Sequence, residues 1–291
     1  MQNKITEKRT AIITGAASGI GLETVRRFSA DPKYKPIYAV DKDPVIHTIF
    51  DAQNYPHVVP MQVDVRRGNE NAEMFKRVRI EAKRLDVIVN AAGTIIAGNE
   101  NNSAASAQIR DLNDTNFAGQ MYIMVMAETM MESWGGGTII NITSSKDYFP
   151  DPYRLEYMAS KMRFEDMSLE ARNRLKGSGV RVVIVKPGNT KTNIDRGAWT
   201  DGSNDTEMKA VQGFNDWWRK TFGNDPKNVA EVIYKIAEGK IDKEKVHVGF
   251  DAKLGNFLIR AVPGWRYIFF FGSMGAYELV KKAQKLKNKG S

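Results

Sequence analysis

The apolar residues of the chain fall into two alternating patterns. Short, nearly continuous apolar runs occur at Thr10–Thr14, Ile37–Val40, Val58–Met61, Asp86–Asn90, Thr138–Thr143, Val180–Lys186 and Lys245–Val248. Runs of this length and continuity read as strands buried on both faces, the habit of a parallel sheet. Between them the spacing changes to that of helices. Leu22, Val25 and Phe28 follow the first run, and a polar helix covers Asn69 to Arg84. A long helix spans Asn116 to Trp134, another carries Tyr157 and Lys161 and runs to about Lys176, and Asp225-Pro226 opens a last one over Asn228–Glu238. Gly135-Gly136-Gly137, Gly177-Ser178-Gly179 and Pro187-Gly188 are the stops. Gly98 to Ser106 is polar and low in complexity, which predicts a surface loop, and Thr190 to Gly223 shows no strong period.

Strands and helices alternating in this way predict an α/β fold with a parallel, doubly wound sheet and right-handed connections. Gly15, Asp41, Asp64, Asn90, Ser144 and Pro187 all come at or just after the C-terminal ends of strands, the edge along which such sheets bind ligands. Gly15-Ala16-Ala17-Ser18-Gly19-Ile20-Gly21 sits between a strand and a helix. Glycines there let the backbone turn tightly and approach a pyrophosphate, and the helix N-terminus supplies free N–H groups. Asp41 follows Gly21 by 20 residues, a distance at which a carboxylate reaches adenosine ribose hydroxyls. It would repel a 2′-phosphate, so NAD(H) is favoured over NADP(H). Lys42 beside it pulls the other way, and the absence of a basic residue at Ala16 or Ala17 supports it again. Asn90-Ala91-Ala92-Gly93 closes its strand with small residues that leave room for a ligand.

Tyr157 and Lys161 lie four residues apart, on one face of a helix. An ammonium held near a phenol favours the phenolate and lowers the Tyr pKa from its usual value of about 10. Such a pair could move a proton to or from an alcohol or carbonyl. By spacing alone it is an unremarkable helical face. With its surroundings the chain resembles the short-chain dehydrogenase/reductase family, hydroxysteroid dehydrogenases included. Thr14 to Gly21 matches the family's cofactor motif, and Asn90-Ala91-Ala92-Gly93 matches its Asn-Asn-Ala-Gly, with Ala91 replacing the second Asn. Asn116 falls on the helix Asn, Ser144 on the catalytic Ser thirteen residues before Tyr157, and Tyr157 with Lys161 on Tyr-x-x-x-Lys. Pro187-Gly188, with Thr190 and Thr192, matches the motif at the nicotinamide end.

The resemblance implies a Rossmann-type sheet flanked by helices over residues 1–249, with 190–224 as a substrate flap. It implies Asn116, Ser144, Tyr157 and Lys161 as catalytic residues. Tyr157 exchanges the proton, Lys161 lowers its pKa and holds the nicotinamide ribose, Ser144 steadies the substrate oxygen, and Asn116 kinks its helix and holds a water. It places the cofactor on Gly15, Ser18, Gly19, Ile20, Gly21, Asp41, Asp64, Val65, Asn90, Ala91, Gly93, Tyr157, Lys161, Pro187, Gly188, Thr190 and Thr192. The reaction implied is hydride transfer between NAD(H) and a secondary alcohol or ketone. Pairing through the helices that start near Asn116 and Tyr157 implies a homodimer or homotetramer.

Composition narrows these expectations. A hydrophobic fraction of 42% over 291 residues suits a full globular core, and the absence of Cys removes disulfides, zinc-thiolate sites and a Cys nucleophile. His47, His57 and His247 are scattered, so no metal site is expected and each reads as structural. A net charge of +9 raises nucleic acid as a partner, but the basic residues are dispersed and no nucleic-acid motif accompanies them. Met1 to Thr10 is polar, without a signal-peptide core, and no apolar run reaches membrane-spanning length, which predicts a cytoplasmic protein. Met121, Met124, Met126, Met130 and Met131 form a stripe that suits core or subunit interface. Trp199, Phe214, Trp217, Trp218 and Phe222 fit either a flap over a bulky apolar substrate, such as a steroid, or simple packing of that flap. Residues 250–291 form an apolar extension ending in Lys281, Lys282, Lys285, Lys287 and Lys289. It either covers the cleft or a subunit interface, or lies peripherally on an anionic membrane surface. Two alternatives remain: a β-ketoacyl thioester reductase, and a nucleotide-binding scaffold without turnover.

Overall fold

In the computed structural model, residues 8–96, 103–151, 153–192, 194, 206–269 and 272 are described. Seven strands form one sheet: β1 (Arg9–Thr14), β2 (Tyr34–Asp41), β3 (Val58–Gln62), β4 (Val87–Asn90), β5 (Gly137–Ile142), β6 (Val180–Pro187) and β7 (Lys245–Val248). Their order is β3-β2-β1-β4-β5-β6-β7, and every neighbouring pair is parallel. Each apolar run named above forms a strand, within two or three residues at each end. The runs are apolar throughout because helices cover both faces, and Ile12, Ile13, Ile88, Val89, Ile139 and Ile140 are all fully buried. The chain moves outward from β1 in both directions, so the β1 and β4 C-terminal ends flank a crevice where ligands of open α/β sheets bind.

The helices are α1 (Gly19–Ser29), α2 (Ile46–Ile49), α3 (Gly68–Glu81), α4 (Ser103–Asn113), α5 (Gln120–Ser133), α6 (Leu155–Arg174), α7 (Thr206–Phe222), α8 (Pro226–Ala237) and α9 (Phe250–Ala261). One core cluster joins β1, β2, α1 and α8, with Tyr234 edge-on to Phe28 and Tyr34, whose rings are tilted against each other. The other lies on the opposite face, where Met124, Met130 and Met131 are buried with Phe75 and Phe164. The inner half of the Met stripe is therefore core. The outer edge of α5 and α6 leaves Tyr122, Val125, Leu155 and Met162 exposed.

Two stretches differ from the sequence reading. The loop expected over Gly98–Ser106 gives way to α4 from Ser103, and the unpatterned stretch after Thr190 contains α7. Asn116 lies in a π-helical segment, Asp114–Gly119, inserted between α4 and α5. That is the local distortion expected at Asn116, and such bulges concentrate at functional sites. Trp199, Phe270, Phe271 and the lysine-rich tail lie outside the described residues. Among the described residues no helix is long and apolar enough to cross a membrane.

Candidate active site

Two adjoining cavities run along the C-terminal edge of the sheet. The first, about 320 Å³, is bounded by the turn from β1 to α1, the ends of β2 and β3, and the segment after β4. Gly15 has φ +67°, and a Cβ there would lie 2.8 Å from the Ala92 backbone. The β1 turn thus passes in contact with the strand end beside it, and only glycine fits. Thr14 fixes this contact: its Oγ1 accepts the N–H groups of Ala91 and Ala92, both at 3.1 Å. Ser18, Gly19, Ile20 and Gly21 bring the start of α1 to the cavity wall, where first-turn N–H groups lack intrahelical acceptors.

Asp41 ends β2 at the same cavity. Its Oδ2 accepts the Ala17 N–H at 3.0 Å, and Oδ1 accepts that of Asp43 at 3.0 Å. The carboxylate is held against the glycine turn, with Lys42 also lining the wall. Asp64 and Val65 line the far side. Arg66 forks onto the Asp64 carboxylate at 2.6 to 3.0 Å and holds it below the usual carboxylate range. Arg66 also pairs with Asp111 of α4 at 2.8 Å.

The second cavity, about 110 Å³, holds Ser144, Tyr157, Lys161, Pro187, Gly188, Thr190 and Thr192. Ile20, Ala91, Gly93, Thr192 and Ile194 border both cavities, so the two are continuous. The Lys161 ammonium is fully enclosed and donates to the Ile142 carbonyl at 3.1 Å. Burial pushes its pKa down to about 8. The Ser144 hydroxyl accepts the Lys146 N–H at 3.2 Å, which fixes it at the end of β5.

Two of the assigned residues stand outside these walls. Asn116 is fully buried and spans the site from behind. Its amide donates to the Thr94 carbonyl and accepts the Thr94 N–H, both at 2.8 Å, and donates to Ser160 Oγ at 3.2 Å. Ser160 in turn donates to the Tyr157 carbonyl at 2.7 Å. A Cβ on Gly93 would lie 3.4 Å from both Asn116 Oδ1 and Lys161 Nζ, so Gly93 packs against both groups. Asn90 lines neither cavity. It is fully buried and donates to Asn141 Oδ1 at 2.8 Å, and Asn141 donates to Ser168 Oγ at 2.8 Å. Asn90 therefore ties β4 to β5 and α6 beneath the site.

The second cavity also contains residues the sequence did not mark: Ile95, Lys146, Arg154, Asn189, Ile194 and Arg219. Lys146 and Asn189 are one or two residues from marked positions, but Arg154 and Arg219 belong to no motif. Among the described residues, Trp217, Trp218 and Phe222 line neither cavity. They pack on one another with ring centroids 4.8 to 6.3 Å apart.

Comparison with known proteins agrees with this fold. The model of the short chain dehydrogenase family matches residues 9–202. The chain is 28% identical over 207 residues to 2,3-dihydro-2,3-dihydroxybenzoate dehydrogenase of Escherichia coli, covering 71% of this chain and 79% of that one. A short-chain dehydrogenase from Burkholderia cenocepacia in complex with NADP superposes with a TM-score of 0.70 at 21% identity, over 88% of this chain and 94% of the other. One from Burkholderia phymatum in complex with NAD gives 0.72 at 17%, over 88% and 92%. With the family model covering β1 through the turn after β6, and the paired cavities on the page, the chain belongs to the short-chain dehydrogenase/reductase family.

Proposed function

We propose that this protein is an NAD(H)-linked oxidoreductase of secondary alcohols and ketones in which Tyr157 is the general acid and base. One observation carries the reading: Ser144, Tyr157 and Lys161 line one cavity, and that cavity opens past Ala91, Gly93 and Thr192 into the glycine-turn cavity. A dinucleotide fits this shape. The Gly15 turn and the α1 N-terminus form a cradle for a pyrophosphate, and Asp41 stands where ribose hydroxyls would lie. Asp64 contributes wall and backbone, its carboxylate being taken up by Arg66. Pro187, Gly188, Thr190 and Thr192 bound the nicotinamide end. The cofactor supplies or takes up the hydride.

The chain's own groups move the proton. The Tyr157 phenol gives a proton to the carbonyl oxygen in reduction and takes one from the alcohol in oxidation. Lys161 holds positive charge beside the phenol and favours phenolate. Ser144 donates to the substrate oxygen and fixes its position. Asn116 holds the loop after β4 through Thr94 and would hold a water that relays protons from Lys161 to solvent. Ile95, Ile142 and Ile194 give the substrate end an apolar wall, which supports a bulky apolar body such as a steroid. The exposed Tyr122 and Val125 of α5, with Leu155 and Met162 of α6, support pairing of copies through those helices.

An NADH-oxidation screen of steroid, acyl and polyol ketones tests the activity. Tyr157→Phe should lower turnover at least 100-fold, about the lower end for general acid–base catalysis, while the NADH dissociation constant stays within about threefold. Substantial residual turnover would remove Tyr157 from its role.

A further inference from the structure

Helix α9 is held on its inner side. Asp251 accepts the Asn189 N–H, Ala252 is fully buried, and a Cβ on Gly255 would lie 2.7 Å from the Tyr148 side chain. Past Val262, the Trp265 indole donates to the Tyr148 carbonyl at 3.1 Å and Arg266 donates to Asp147 at 2.8 Å. These contacts fix the rotation of the helix. Phe250, Phe257 and Ala261 recur at intervals of seven and four, which sets them in one stripe on the outer side. Phe250 is 65% exposed and Phe257 63%, and Tyr267 and Ile268 beyond the helix are exposed as well. Exposed apolar residues grouped in this way mark a surface that meets a partner. Helix α7 ends beside it: Phe222 is exposed, and Asn224 Cβ would lie 3.6 Å from a Cβ on Gly249, the residue before Phe250.

The charge on this side has one sign. Lys253 and Arg260 are exposed, and each follows a stripe phenylalanine by three residues, about 60° around the helix from it. Among the described residues from Phe250 onward the acid is Asp251 alone, and it is buried. From Ala252 to Ser291 the sequence sets Lys253, Arg260, Arg266 and the five tail lysines against one acid, Glu278. Exposed aromatic rings edged by cations suit a helix that lies in the plane of an anionic bilayer surface. The rings enter the boundary between headgroups and acyl chains, and the long basic side chains reach back to the phosphates. A second copy of this chain fits less well. A two-fold pair would turn the same cations toward each other, with no exposed acid on the face to meet them.

We propose that the outer face of α9, continued by Tyr267 and Ile268, is a docking surface for an anionic lipid bilayer. Phe250 and Phe257 are the apolar anchors, and Lys253 and Arg260 select the anionic headgroups. The attachment is peripheral and reversible, as a single amphipathic helix gives. No residue of α9 lines either of the two cavities, so the proposal stands apart from the reaction assigned to the Tyr157 site.

Co-sedimentation of the full-length protein with sucrose-loaded vesicles tests it. One set is phosphatidylcholine alone, and the other carries about one part in four of phosphatidylglycerol. The wild type should partition about tenfold or more in favour of the anionic set. Lys253→Gln and Arg260→Gln should each weaken that binding about fivefold, the weight of one basic residue at an anionic surface. Phe250→Asn combined with Phe257→Asn should weaken it about tenfold with the charge unchanged. These side chains are exposed, so far-UV circular dichroism and thermal melts of the variants should match the wild type. Equal binding by the wild type and the phenylalanine double variant would assign attachment to the lysine tail and overturn the proposal. Absence of binding to both vesicle sets would overturn it too. An oligomer in analytical ultracentrifugation that the same double variant splits would give the face to a second copy instead.

Discussion

The backbone N–H of Asn189 donates to Asp251 Oδ2 across 2.7 Å. Asn189 belongs to the turn after β6 that bounds the Tyr157 cavity, and Asp251 to the first turn of α9. Asn189 Nδ2 donates to the same oxygen at 3.2 Å, and Asp251 Oδ1 accepts the Ala252 N–H at 3.0 Å. Gly188 lies directly on the Asp251 carboxylate, so that any Cβ there would overlap it. The apolar extension therefore reaches the turn after β6 through a buried acid. Charge-assisted bonds of this kind contribute about 1.5–3 kcal/mol. Asp251→Ala should raise the KM for NADH about tenfold as the turn loosens, and Asp251→Asn should recover most of it. Steady-state kinetics of both variants, with thermal melts to confirm folding, check this.

Asp41 is both a charge and a scaffold. Its two oxygens cap the N–H groups of Ala17 and Asp43. An alanine would disturb the glycine turn along with the charge, so the informative change is Asp41→Asn, which keeps an acceptor. NADH affinity should fall only a few-fold. NADPH should bind about tenfold more tightly, since a like-charge repulsion of about 1–2 kcal/mol is removed. Fluorescence titration of both cofactors reads the ratio, and an unchanged ratio would show that Lys42 or the wall sets the preference.

The strands were legible because a parallel sheet covered on both faces needs uninterrupted apolar runs, and β7 begins and ends where its run does. Ser144, Pro187 and Gly188 of the Tyr157 cavity were legible because they come at strand ends, and Tyr157 and Lys161 because they lie four residues apart on α6. Asn90 stands at a strand end as read, and its side chain turns to Asn141 on the neighbouring strand, a register relation that one strand's sequence does not contain. Helix α7 does carry a period, through Met208, Val211, Trp218 and Phe222, but Gly213 and its polar flanks obscure it. Helix α4 opens with Ser103-Ala104-Ala105-Ser106, small residues that form helices well yet give no apolar stripe. Arg154 and Arg219 were invisible because they meet only through the tertiary fold.

Lys161 should show the cost of its own placement. Its pKa is about 8 in the folded chain because burial penalises the charged form. An unfolded lysine, near 10.4, binds more proton between these values. Stability therefore rises as pH climbs from about 8 toward 10, and at pH 7 the full penalty applies. The upper limit is about 3 kcal/mol. Lys161→Met removes it but strands the Ile142 carbonyl, a loss of about 1 kcal/mol. The variant should lose turnover and yet resist urea better than wild type at pH 7, by about 2 kcal/mol. The gap should close by pH 10. Equal stability at pH 7 would show that the ammonium is solvated.

His247 shows a pH dependence of the same sign, in a lower window. Its ring stacks on Tyr148 with centroids 5.7 Å apart, and its Nε2 lies 2.7 Å from the Tyr148 hydroxyl. Lys186 lies 3.1 Å from Asp147 and also pairs with Glu165, which Lys245 meets at 2.8 Å. Burial, helped by the positive charge of Lys186, pushes His247 down to about 4, and Glu165 opposes this only in part. The folded protein holds the ring neutral through a range in which the unfolded chain, near 6.5, is protonated. Stability is then complete above pH 6.5 and falls as pH drops from 6.5 toward 4. The contribution is at most about 3 kcal/mol, and nearer 2 because the ring is partly exposed. His247→Gln removes the titration and keeps an acceptor for Tyr148. Other carboxylates also drive acid unfolding, so the readout is the difference between wild type and variant. Urea midpoints should differ little at pH 5 relative to pH 7 in the variant, and fall more steeply in the wild type. Parallel pH dependences would mean that His247 is protonated in the folded state and that the Lys186 cluster tolerates the added charge.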